Sequence, residues 1–111
     1  MPGEQFLNAS LEVKRQFIRR RAQEFGLRVT SERGGKHTPG SLHPQGRAID
    51  VAGPAAGMAQ FFRAFEPLAQ RRLGVCELFY DPLGAYDNGH RIPPIGGHAD
   101  HVHIGFDPPP R

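Results

Sequence analysis

Between His101 and Phe106 the chain reads HVHIGF, alternating polar or small residues with apolar ones without a break. Successive side chains of an extended strand point to opposite faces, so Val102, Ile104 and Phe106 face one way and His101, His103 and Gly105 the other. Both histidines leave the core side together. The segment RAIDVA, residues 47–52, behaves similarly, with Ile49 and Val51 on one face and Ala48, Asp50 and Ala52 on the opposite one. If the two strands neighbour in one sheet, its apolar face needs cover and its other face brings Asp50 and His103 within reach of each other.

Helices can supply the cover. Ser10 is placed to cap a helix whose first turn carries Glu12, and Leu11, Ile18, Ala22 and Phe25 recur at helical spacing up to Gly26, predicting an amphipathic helix over 10–25. Met58, Phe61, Phe62, Phe65, Leu68 and Ala69 form the stripe of a second helix that begins after Gly53-Pro54 and ends near Gly74, with Pro67 expected to kink or shorten it. Leu27 to Thr30 reads as a short half-buried strand and Val75 to Tyr80 (VCELFY) as a buried one, with Cys76 a small buried hydrophobe. Residues 31–46 form a loop, and 81–97 carry turn chemistry throughout, a length that in a small domain is usually functional or disordered. The expected fold is α+β: a small antiparallel sheet with two helices on one side and a cleft on the other. All of 1–111 forms one domain, with 1–8 and 107–111 as flexible tails, the latter kept out of a sheet by Pro108, Pro109 and Pro110.

Composition narrows the function classes. The 14 glycines and 11 prolines among 111 residues predict a folded but loop-rich chain. No apolar run approaches the roughly 18 residues of a membrane-spanning helix, so no membrane insertion is expected. The opening MPGEQFLNAS has neither a basic nor an apolar signal region, so no signal peptide is visible. The net charge of +3 could favour nucleic acid or an anionic cell wall. Its basic residues concentrate in Lys14 to Arg28 and Arg71 to Arg72, however, and read as solvated helix faces, so no nucleic-acid partner is expected. A single cysteine forms no internal disulfide.

Six histidines in so short a chain demand more. His43 stands seven residues before Asp50, joined through Pro44-Gln45-Gly46, which can fold the chain back so that His43, Asp50 and His103 meet. Two imidazoles and a carboxylate suit Zn²⁺ with a fourth position open. On spacing alone the same residues read equally well as ordinary polar side chains.

The literal text goes further. Ser41 to Asp50 has the form SxHxxGxAxD, and Asp100-His101-Val102-His103 the form (D/E)xxH overlapping HxH. Together these resemble the zinc peptidases that trim bacterial peptidoglycan, the family of D-alanyl-D-alanine carboxypeptidases, dipeptidases and phage endolysin endopeptidases, over about Val29 to Phe106. The resemblance implies His43, Asp50 and His103 as zinc ligands and Asp100 as general base, where many members have Glu and endolysin-type members Asp. Glu32 and Glu77 are the next acidic residues in line for that role. His101 matches the first histidine of HxH, which lines the site. Val29-Thr30-Ser31-Glu32-Arg33 resembles the segment that delivers an arginine, with a shortened stretch between Arg33 and the SxH motif. His37 and His98 could approach the cleft without an assigned role. The implied activity is hydrolysis of the wall stem peptide or its cross-link by a monomer, with an endopeptidase preferred over a carboxypeptidase and a non-catalytic zinc module as the rival. The wall would be reached by phage lysis, virion delivery or as part of a larger protein.

Overall fold

The computed structural model describes residues 2–32 and 41–111; Arg33, His37 and the glycines at 34, 35 and 40 lie outside them. Three helices, α1 (Gly3–Asn8), α2 (Leu11–Glu24) and α3 (Ala55–Gln70), accompany six strands: β1 (Arg28–Ser31), β2 (Ala48–Ala52), β3 (Val75–Tyr80), β4 (Gly84–Asp87), β5 (His90–Ile92) and β6 (Val102–Phe106). All pair antiparallel in the order β1-β2-β6-β3-β4-β5, giving an α+β fold. The last strand in sequence is thus inserted between β2 and β3. All five residues of β6 are buried, as expected of a strand covered on both faces.

The helices pack on one face. Ser10 caps α2 by accepting a hydrogen bond from the Val13 amide, and Ile18 and Ala22 are buried below it. Phe61, Phe62 and Phe65 of α3 lie against Ile49, Val51, Leu78, Val102, Ile104 and Phe106 in one core. Pro67 shortens nothing: α3 runs through it to Gln70. At Gly57 the backbones come so close that a Cβ would stand 2.3 Å from the carbonyl oxygen of Phe25.

Several expectations need correction. Of the expected tail 1–8, residues 3–8 form helix instead: α1 inserts the fully buried Phe6 between Phe17 and Phe65, with ring centroids 5.8 and 6.3 Å away. The helical layer therefore has three members, not two. At the other end, Asp107 is fixed by Arg47, which donates to its carboxylate at 3.0 Å, and by the buried Lys14, which donates to its carbonyl at 2.7 Å and to that of Leu7 at 2.9 Å. Lys14 therefore does not belong to a solvated face; it ties both chain ends to α2. The stretch 81–97 is not turns throughout either, because it contains the β4–β5 hairpin. Asn88 and Gly89 turn it with φ of 51° and 87°, the left-handed pair that suits the twist of a two-residue hairpin.

Candidate metal centre

The sheet face away from the helices collects the site. Asp50 and His103 are direct cross-strand partners of β2 and β6. His43 opens a single 3₁₀ turn, His43–Gln45, which ends at Gly46 in the left-handed conformation (φ 70°) and so bends the chain back over β2. One ligand atom from each of His43, Asp50 and His103 lies within 4.8 Å of the other two, and the group can hold a metal ion. The expectation that these three residues meet is met.

Hydrogen bonds fix how each side chain presents itself. Nδ1 of His43 donates to the carbonyl of Glu32 at 2.6 Å, while its Nε2 stands 3.4 Å from Oδ1 of Asp50. Nδ1 of His103 meets the same Oδ1 at 2.9 Å, and Nε2 meets Oε1 of Glu77 at 2.8 Å. Phe79 stacks on the His103 ring at 5.1 Å, and the His43 ring meets it edge-on at 5.2 Å.

Electrostatics follow from these contacts. Burial works against charge on both Asp50 and His103, yet each is held in its charged form by the other. The hydrogen bonds from His103 and His43 hold the Asp50 carboxyl far below the usual carboxylate range. Burial lowers the His103 pKa, but the carboxylates of Asp50 and Glu77 outweigh it and raise the imidazolium to about 9. Without metal, the centre is a buried imidazolium between two carboxylates. A dication would take over the charge balance there.

Beside this group opens a cleft of about 600 Å³ lined by Arg28, Thr30, Asp50, Ala52, Asp100 and His101. Asp100 and His101 thus share the cleft wall with Asp50. The Asp100 side chain is 92% exposed, and its carboxylate accepts from Nδ1 of His101 at 2.8 Å, which holds its pKa below the ordinary value. His98 also arrives here: its ring lies 4.8 Å from His101 and 5.9 Å from His103. The carboxylate of Asp81 sets that segment by accepting from the amides of Gly96 and His98 at 3.2 and 3.0 Å.

The expected role of Arg33 falls outside the described residues. The residue that the sequence undervalues is Glu77. The motif covers β2 and β6 and is silent on β3, so only the oddity of an acid within VCELFY marks it. No helix among the described residues is long and apolar enough to cross a membrane. Compared with models of protein families, with curated proteins and with solved structures, the chain finds no match in any of the three.

Proposed function

We propose that the chain is a zinc-dependent peptidase acting on the stem or cross-link peptide of bacterial peptidoglycan, as an endopeptidase of phage or prophage type. The observation that carries this reading is the convergence of two imidazoles and one carboxylate beside an open cleft. Three protein ligands of this kind leave a coordination position for substrate chemistry, the pattern of catalytic rather than structural zinc. The motif order SxHxxGxAxD and DxxH supplies the substrate class.

His43, Asp50 and His103 would hold the ion, and their donor set fits it: each histidine has one ring nitrogen turned toward Asp50 and the other engaged outside the group. Zinc bound there supplies Lewis acidity toward a scissile carbonyl and toward water. Asp100, already ionised, accepts the proton of the attacking water and passes it to the leaving amine. His101 steadies that carboxylate from the cleft wall through Nδ1, and when its ring carries a second proton Nε2 can donate to the oxyanion. Arg33 shares that role by resemblance. The open cleft favours an extended peptide over a chain end, and the charge of +3 favours approach to an anionic wall.

The test is mass spectrometry of peptidoglycan fragments before and after digestion, with and without chelator. New internal termini that vanish with chelator are expected. Release of terminal D-alanine alone would replace the endopeptidase by a carboxypeptidase. Zinc binding with no hydrolysis at all would leave a non-catalytic binding module.

A further inference from the structure

We propose that Glu77 is a positioning residue that sets His103 for metal binding, so that the centre extends over three strands rather than two; this rests on the zinc reading above. Glu77 is on β3, outside either motif. Its Oε1 accepts from Nε2 of His103 at 2.8 Å, which leaves Nδ1 as the nitrogen facing Asp50. An imidazole has two nitrogens, and a carboxylate on the outer one fixes both the ring's orientation and which nitrogen is offered to the ion. His43 has a counterpart in the Glu32 carbonyl, a neutral acceptor. Glu77 differs in adding a charge: with Asp50 it brings two negative charges to a site for a dication.

A second, independent feature makes room for this contact. Gly105 is the direct partner of Glu77 across β3 and β6. A Cβ at Gly105 would stand 2.8 Å from Oε1 and 3.1 Å from Cβ of Glu77. The Glu77 side chain therefore lies across the bare backbone of Gly105 to reach a histidine two residues away on the same strand. A Cβ at 105 would crowd that carboxylate and also meet Cδ1 of Leu42 at 3.1 Å, so a side chain there is expected to shift the carboxylate away from His103.

The experiment measures zinc affinity by competition with a chromophoric chelator for the full-length wild type, Glu77→Ala, Glu77→Gln and Gly105→Ala, each checked for folding by circular dichroism. Nitrogen NMR of the zinc-loaded proteins reads which ring nitrogen of His103 carries the proton. Glu77→Ala should bind zinc about 10–100-fold more weakly. Glu77→Gln, whose amide oxygen can still accept, should lose less and keep Nε2 protonated. Gly105→Ala should weaken zinc in the Glu77 background and add little in the Glu77→Ala background, because both changes break one contact. Should Glu77→Ala fail to fold, Glu77→Met, which keeps the length of the side chain without the acceptor, decides: wild-type zinc affinity with Nε2 protonated would overturn the proposal. Folded Glu77→Ala that binds zinc as wild type does, with Nε2 protonated, overturns it too and leaves the zinc site standing. A folded wild type that binds no zinc overturns both.

Discussion

Asp50 and His103 face each other across β2 and β6, and their side chains meet at 2.9 Å. The pairing makes two groups that each resist burial when charged into mutual reasons for staying charged. The resulting pH dependence has a defined sign. His103 is raised from 6.5 to about 9, so its contribution to stability is fully present below pH 6.5 and is lost as pH rises through 9. Asp50 is lowered from 3.8, so its contribution is present above that value and fades only as pH falls far below it. Metal-free protein should therefore resist urea best between about pH 4 and 6.5 and lose stability toward pH 9, a slope that His103→Gln should flatten.

Zinc should reverse that slope. The ion must displace a proton from His103, so below pH 9 this residue alone should make affinity rise by about tenfold per pH unit. Calorimetry in buffers of different ionisation enthalpy would count the released protons. A pH-independent affinity between 6.5 and 8.5 would place the ion elsewhere.

Substituting the ligands should separate metal from chemistry. His43→Ala, Asp50→Ala and His103→Ala should each lose near-stoichiometric zinc and the thermal stabilisation that zinc gives. Asp100→Asn should keep both while hydrolysis falls by about 10²–10⁴. Activity within a few-fold of wild type would move the base to another residue.

Much of this arrangement is legible in the sequence, and the reason is the period of two. HVHIGF and RAIDVA declare strand, buried face and polar face at once, because one slip of register would turn every apolar residue outward. Gly84 to Asp87 gives no such signal: its strand character comes from Tyr86, whose hydroxyl donates to Glu66 on α3, a tertiary contact that local alternation cannot announce. Only Asn88-Gly89 marks the hairpin. Lys14 fails for a similar reason, since its charge suggests solvent while its partners are two carbonyls, one of them 93 residues away. Glu77 stands out in the sequence only as an acid in a buried strand, and its contact with His103 emerges once the sheet order puts β3 beside β6.

Lys14 makes a stability prediction of its own. Lys14→Ala removes the donor from two carbonyls and empties the space beside Phe6, and should cost about 3 kcal/mol in urea denaturation. Lys14→Met, which refills the space but not the hydrogen bonds, should recover part of that loss. Equal stability of all three proteins would show that the two chain ends contribute nothing.

Cys76 should be chemically silent in the folded protein. Burial, reinforced by the nearby negative charges of Asp107 and Glu77, pushes its thiol up to about 12. Only thiolate reacts, so iodoacetamide at pH 8 should modify it at the rate of unfolding and speed up sharply in denaturant. Labelling as fast as that of a free peptide thiol would contradict the buried position.

The place of β6 bears on how the molecule comes into being. Strands β1 and β2 and strands β3 to β5 are two separate ribbons until residues 102–106 slide between them. On a ribosome those residues emerge after the other five strands, and they bring His103 with them. Until then the nascent chain has His43 and Asp50 but no third ligand, and its central seam is open. The pairings that join the two ribbons must therefore wait for residues 102–106, which predicts a slow, late closing step in which the sheet and its His43–Asp50–His103 group appear together. A chain shortened before residue 102 would be two unjoined ribbons with the metal-binding group incomplete.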